Sequence, residues 1–223
     1  MHQRKSKKVL IYFFLIIILS SIGNYSINNF KLNKIENIIV SGLEKKNNTI
    51  ILNKIKNLNI GNIFLINKNE IIKLINSNSL TESFEVFKEY PSTIHIKIKK
   101  TNFFAKINNN GKIFLIGSNG KLTQDNLDYN NLPFIFGKPK ISEFLEFKKI
   151  IDMSKISYNQ IDSLFFFPSK RWDLKLKNNI ILKLPKNSSK EILDQLYKFL
   201  ERYSGEKFNI VDARIENQII LNE

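Results

Sequence analysis

Residues 171–184 read RWDLKLKNNIILKL, and this stretch decides the fold of the C-terminal half of the chain. Trp172, Leu174 and Leu176 alternate with Asp173, Lys175 and Lys177, Asn178 and Asn179 supply turn chemistry, and Ile180, Leu182 and Leu184 then alternate back. Successive side chains of a strand point to opposite faces, so both arms bury one face and wet the other, which predicts an antiparallel hairpin. A slip of one residue would turn every leucine outward, so the same pattern sets the register.

Downstream, Ser188 and Glu191 form an S-x-x-E capping box, and Ile192, Leu193, Leu196, Phe199, Leu200 and Tyr203 line one helical face up to Gly205. Residues 208–221 then read as strand, with a break near Glu216 and Asn217. Upstream, residues 104–107 and 113–116 make a hairpin around a turn at 108–111, and Gly117 and Gly120 mark another bend. Residues 132–139, bounded by Pro133 and Pro139, read as loop. Residues 142–156 form an amphipathic helix carrying Phe144, Leu145, Lys148, Lys149 and Ile151.

The first hundred residues follow another order. Ile35, Ile38 and Val40 give a short strand ending at Gly42, and Asn48 or Thr49 is the expected cap of a helix whose Ile51, Leu52, Ile55 and Leu58 share a face before Gly61. Asn67 with Glu70 starts a second helix, with Ile71, Ile72, Leu74 and Ile75 on its apolar side. Phe84 and Val86 alternate in one strand, 89–92 turn, and Ile94, Ile96 and Ile98 alternate with His95, Lys97 and Lys99. The order is strand, helix, helix, strand, strand.

Nothing later resembles residues 9–22, VLIYFFLIIILSSI, which follow a tail carrying Arg4, Lys5, Lys7 and Lys8. Counted through Ile27, the run makes a helix of roughly 28 Å at about 1.5 Å per residue, close to the thickness of a hydrocarbon core. Bilayers retain Lys and Arg on the cytoplasmic side, so the reading is a single transmembrane helix over 9–27, a cytoplasmic tail at 1–8, and everything after it outside, with Tyr25 at the outer interface. A run of this length also fits a cleavable signal peptide, and Ser21-Ile22-Gly23 matches a small-x-small cleavage pattern, so a secreted periplasmic protein stands as the alternative.

The formal charge of +15 comes from lysine, with arginine only at Arg4, Arg171, Arg202 and Arg214. The lysines are scattered among Ile and Asn, and the aromatic residues occupy strand-like apolar positions instead of interleaving with a basic stripe, which argues against nucleic acid. Catalytic raw material is thin. The chain has no cysteine and two histidines, His2 in the tail and His95 on the polar side of a strand, with no metal-ligand spacing and no glycine-rich phosphate loop. The expectation is a non-enzymatic protein without metal or cofactor.

Several segments resemble the bitopic cell-division family FtsQ, called DivIB in some bacteria. Ile39-Val40-Ser41-Gly42 looks like the opening of its POTRA domain, Gly61-Asn62-Ile63-Phe64 like the approach to the second helix, and Tyr90-Pro91-Ser92-Thr93-Ile94 like the turn between the last strands. Arg171-Trp172-Asp173-Leu174-Lys175-Leu176, Ile181-Leu182-Lys183-Leu184 and Val211-Asp212-Ala213-Arg214 resemble motifs of the family's β domain. The chain departs at the domain joint, where E-R-x-P-x-A is replaced by Lys100-Thr101-Asn102-Phe103-Phe104-Ala105, and after the D-x-R, where Ile215 and Gln218 replace an aromatic and a glycine.

The resemblance implies an α+β chain: one N-terminal transmembrane helix, a small POTRA domain (β-α-α-β-β) over 31–100, then a mainly antiparallel β domain with flanking helices over 101–223. It implies a scaffold of the bacterial divisome in the inner membrane, periplasmic in bulk and concentrated at the septum. It further implies that the last strand receives a segment of the coiled-coil protein FtsB, which travels with FtsL, and that other division proteins meet the POTRA domain. Carried over by position, Ile215, Asn217, Gln218, Ile219, Ile220 and Leu221 would form the receiving strand, with Lys170 or Arg171 as charge partners. A proline at Ile219 or Ile220 would remove a ladder donor.

Asp212 and Arg214, at alternate positions, are read as a structural ion pair, and Trp172 as a core or sheet-face residue. The competing class is a POTRA-bearing component of outer-membrane assembly or secretion. Such modules normally precede a transmembrane barrel, and no long series of alternating ten-residue strands follows here. The N-terminus of the mature protein separates anchored from secreted, and the partners recovered from membranes separate scaffold from assembly factor.

Overall fold

The computed structural model describes residues 7–22, 34–58, 60, 63, 66–124, 131–205, 208–216 and 218–222. The apolar N-terminal run forms α1 (Lys7–Ile22), 16 residues long. No described helix is long and apolar enough to cross a membrane. Residues 23–27, which the expected span needs to reach bilayer thickness, and the tail at 1–6 lie outside the described residues.

The N-terminal domain comprises β1 (Asn37–Ser41), α2 (Lys45–Lys56), α3 (Lys68–Ser77), β2 (Thr81–Glu89) and β3 (Thr93–Lys100), the order expected. Its sheet runs β1-β3-β2, with β1 parallel and β2 antiparallel to the central strand. The alternation in β3 does what a period of two requires: Ile94, Ile96 and Ile98 face Ile51, Ile55, Ile71 and Ile75 of the two helices in one core. Gly42 ends β1 at φ +106°, and a Cβ there would sit 1.7 Å from the Ile98 carbonyl oxygen, so only glycine fits.

Helix α2 begins earlier than the expected cap, after Glu44. Asn48 instead clamps the preceding loop, its side chain accepting from the Leu43 N–H at 3.1 Å and donating to the Leu43 carbonyl at 2.9 Å, while the Thr49 hydroxyl donates to the Lys45 carbonyl. Gly61, Asn62 and Phe64 lie outside the described residues, whereas Ile63 is fully buried.

The C-terminal domain is a nine-stranded sheet with helices on one face. Its elements are β4 (Phe103–Asn109), β5 (Lys112–Gly117), β6 (Leu122–Thr123), β7 (Phe134–Phe136), α4 (Ile141–Met153), β8 (Ile161–Phe166), β9 (Trp172–Leu176), β10 (Ile181–Lys183), α5 (Lys190–Arg202), β11 (Ile210–Asp212) and β12 (Ile220–Asn222). The strand order is β12-β11-β10-β9-β8-β7-β4-β5-β6. The β4–β5 turn uses Asn110 at φ 52° and Gly111 at φ 80°, the left-handed pair that a two-residue hairpin demands. The β9–β10 hairpin has the predicted register, Leu174 opposite Leu182 and Asp173 opposite Lys183.

Three of the sheet's pairings are parallel, β4–β7, β7–β8 and β10–β11. Helices α4 and α5 are the crossovers of the last two, since parallel neighbours need a long return. The loop expected at 132–139 is corrected: Phe134–Phe136 is a central strand, and the Pro133 carbonyl accepts from Lys106 N–H at 2.9 Å. The capping residue of α5 is Ser189, one position later than expected, and Ser188 donates to the Pro185 carbonyl instead.

Trp172, 6% exposed, anchors this core. It stacks on Phe147 with ring centroids 4.9 Å apart and meets Phe166 at 4.7 Å, tying α4 to the β8–β9 hairpin. The two domains meet through polar groups. Asn119, on the β5–β6 turn, donates to the carbonyls of Ser79 at 2.8 Å and Thr81 at 2.9 Å, and the Thr101 and Ser118 hydroxyls both donate to Glu82.

Candidate functional site

Strand β12 closes the sheet on one side, paired only with β11 among the described strands, so its outer row of N–H and C=O groups is unpaired. Register fixes what each β12 residue faces. Leu221 lies opposite Val211, which is buried under the helices, so Leu221 shares the helical face, and Ile220 lies opposite Asp212 on the other face. Both are half-exposed, at 39% and 47%, although apolar.

Of the residues expected to form the receiving strand, Ile220 and Leu221 lie in β12. Ile215, Gln218 and Ile219 belong to the connection from β11, where the Gln218 N–H donates to the Ile215 carbonyl at 3.2 Å. The chain turns there because residues after Asp212 must reverse direction to pair antiparallel, so the receiving strand expected over 215–221 is shortened to its end. Asn217 lies outside the described residues.

This connection and α5 enclose a groove of about 860 Å³ lined by Lys186, Ile192, Leu196, Arg214, Ile215 and Ile219, among others. Its apolar floor adjoins the free edge, and its rim carries Lys186, Arg214 and Glu216. Ile192 and Leu196 reach it because they sit one turn apart on the face of α5 that packs on the sheet. Lys186 follows β10 and was not singled out by the sequence; its one signal was its place between a strand end and a helix cap.

Asp212 and Arg214 form the ion pair expected of them. The Arg214 Nε donates to both carboxylate oxygens, which holds the Asp212 carboxyl below its ordinary range and raises the guanidinium further. Lys170 and Arg171 sit at the β8–β9 turn, at the same end of the sheet as the start of β12. Arg171 is committed within the chain, its Nε donating to Asp173 at 3.2 Å and its guanidinium lying 4.3 Å from the Phe167 ring. Lys170 is exposed and lies 3.7 Å from Glu143. It borders a second depression that shares Lys186 and Asn187 with the first, which links the hairpin turn to the edge.

A family model described as cell division protein FtsQ/DivIB, C-terminal, matches residues 98–214, more than half of the chain, and one described as POTRA domain, FtsQ-type, matches residues 33–100. The chain belongs to the FtsQ/DivIB family. Among relatives, cell division protein FtsQ of Rickettsia felis is 26% identical over 197 residues, covering 85% of this chain and 72% of that protein. Cell division protein FtsQ of Rhizobium meliloti is 23% identical over 192 residues, covering 82% and 61%, and cell division protein DivIB of Staphylococcus aureus is 26% identical over 145 residues, covering 62% and 32%. A solved structure, the major extracytoplasmic domain of DivIB from Geobacillus stearothermophilus, aligns with TM-score 0.34 at 11% identity, over 48% of this chain and 91% of that one. By the family models, residues 33–100 are a POTRA domain of FtsQ type and β4 to β11 fall within the family's C-terminal domain, while β12 lies beyond the matched residues.

Proposed function

We propose that this FtsQ/DivIB chain is a non-enzymatic, membrane-anchored scaffold of the bacterial divisome, whose C-terminal domain captures FtsB, travelling with FtsL, by strand addition to β12. One observation carries the reading: the sheet ends on a strand with an open edge and exposed apolar side chains, directly beside a groove with an apolar floor and Lys186 on its rim. Backbone pairing gives such an edge affinity and alternate side-chain pockets give it selectivity. An incoming strand would lay one set of side chains beside Leu221, toward the groove, and the other beside Ile220. Because the ladder uses main-chain groups, it tolerates Ile215 and Gln218 where relatives of the family carry other residues.

Anchoring supplies the rest. A partner held in the same membrane meets the edge at high effective concentration, so a modest interface is occupied. Lys170 and Lys186 would steer an acidic segment toward it.

The test is proline at successive positions. Neighbouring residues of an antiparallel edge strand direct their N–H groups alternately inward and outward, so one of Ile220→Pro and Leu221→Pro removes an outward donor and the other a bond to β11. The first is expected to abolish FtsB capture with the domain's unfolding midpoint nearly unchanged. Undiminished capture by both variants would overturn strand addition at this edge.

A further inference from the structure

The helical layer of the POTRA domain carries a surface unlike its sheet. Helix α2 has Lys45, Lys46, Lys54 and Lys56 and no acidic residue, and α3 has Lys68 and Lys73 with Glu70. The acids Glu82, Glu85 and Glu89 belong to β2, and Glu44, just before α2, is paired with Lys100 at 2.8 Å. Strands β2 and β3 also carry Lys88, Lys97, Lys99 and Lys100, but together with the acids of β2, whereas the two helices bring six lysines and a single glutamate to their side of the sheet.

Apolar residues stand among them. Ile50 and Ile72 are 42% and 38% exposed, while Ile51, Ile55, Ile71 and Ile75 beside them are buried. Lys46, Ile50 and Lys54 follow one another at one-turn spacing on α2, as do Lys68 and Ile72 on α3. Lysines around exposed aliphatic side chains, on a helix face turned away from the core, have the chemistry of an interfacial membrane contact: ammonium groups against phosphate, short apolar side chains among headgroups.

We infer that the α2–α3 face of the POTRA domain docks on an anionic lipid surface. The occupant is fixed by charge and by reach. Residues 23–33, which join α1 to the domain, span at most about 40 Å even if fully extended, so the domain stays within roughly its own diameter of the end of α1. The inference rests on the reading of α1 as a membrane anchor. Docking sets the orientation of the POTRA domain and, through the junction at Asn119 and Glu82, the direction in which the β12 edge is presented.

The chain has no cysteine, so Ile50→Cys, Ile72→Cys and, in the C-terminal domain, the exposed Ile113→Cys each accept a fluorophore at one known place. The full chain would be reconstituted in vesicles of phosphatidylcholine alone or with phosphatidylglycerol. The labels at 50 and 72 are expected to shift to the blue and be quenched by headgroup nitroxides only with phosphatidylglycerol, with the effect lost in high salt and the label at 113 unaffected. An anionic surface favours each nearby lysine roughly fivefold, so Lys46→Gln with Lys54→Gln should lower the docked-to-undocked ratio about 25-fold. Lys97→Gln with Lys99→Gln, on the opposite face of the domain, should change it less than about twofold.

Water-exposed labels on a chain that floats with phosphatidylglycerol vesicles would overturn the docking and leave the anchor standing. Flotation with phosphatidylglycerol vesicles alone, abolished by salt, would keep the docking and overturn the anchor, and flotation with neither lipid would overturn both. Shielding that needs added membrane protein whatever the lipid charge would assign the face to an acidic protein and overturn lipid docking.

Discussion

Arg214 donates from its Nε to both carboxylate oxygens of Asp212, at 2.8 and 2.9 Å, so the side chain that follows β11 folds back on the strand instead of extending toward a partner. The pair fixes the start of the connection that delivers β12 to the sheet edge. The guanidinium's hydrogen bond holds the Asp212 carboxyl below its ordinary value of 3.8. A group whose pKa is lowered on folding stabilises the fold above its unfolded value, and that contribution is lost as pH falls through the lowered one. Asp212→Asn is therefore expected to cost under about 1 kcal/mol at neutral pH. Urea midpoints of wild type and variant should converge in acid, beneath the lowered value; a constant gap down to that pH would show that the charge is not what stabilises the turn.

Lys186 stands on the rim shared by the two depressions, which Glu143, Glu146 and Glu216 also line. If acidic residues of the captured segment pass here, Lys186→Glu lowers the association rate more than it raises the dissociation rate, and weakens capture by roughly tenfold at low salt. Binding kinetics with an FtsB segment at two ionic strengths measure this. An equal loss at both salt concentrations would place the segment elsewhere.

How much of this was legible beforehand follows from where each feature is encoded. The β9–β10 hairpin and the β-α-α-β-β order were readable because their alternation is local, although the cap of α2 fell at Glu44 and not at Asn48 or Thr49. Strand β7 was missed because three residues, Phe134, Ile135 and Phe136, hemmed by Pro133 and Gly137, carry too short a pattern, and only pairing with β4 and β8 makes them a strand. The edge was anticipated in outline, but its extent was overstated: apolar Ile215 and Ile219 look like strand and instead line a groove built by α5, an element with no local trace in that segment. The lysines of α2 and α3 read as compositional bias until packing placed them on one face.

The domain joint departs from its family's motif in sequence, and the structure shows what holds it here. Asn119 bridges two carbonyls of the other domain, at Ser79 and Thr81, and Lys121 donates to the carbonyls of Asn76 and Asn78 from the same turn. Asn119→Ala leaves two carbonyls without their donor and is expected to cost about 1–2 kcal/mol at the joint. Trypsin cleavage near Lys99 and Lys100 should accelerate, and the scattering radius should grow, with each domain's own unfolding unchanged. Unaltered cleavage kinetics would mean that the Glu82 hydrogen bonds suffice.

Gly42 offers a way to ask whether the two domains stand independently. Its φ of +106° and the 1.7 Å approach of the Ile98 carbonyl to any Cβ leave alanine nowhere to go, because that carbonyl belongs to the central strand of the POTRA sheet. Moving it would disturb the ladder on both sides, so Gly42→Ala combines backbone strain with lost pairing and is expected to cost about 3 kcal/mol or more. Trp172, the sole tryptophan, lies in the other core, stacked on Phe147, and reports only on that domain's unfolding. In Gly42→Ala the far-ultraviolet transition should split, an early step from the POTRA domain preceding a tryptophan transition at the wild-type midpoint. If the tryptophan transition moves down with it, the polar joint at Asn119 and Glu82 couples the two cores, and mutations in the POTRA domain would then weaken capture at β12 without touching it.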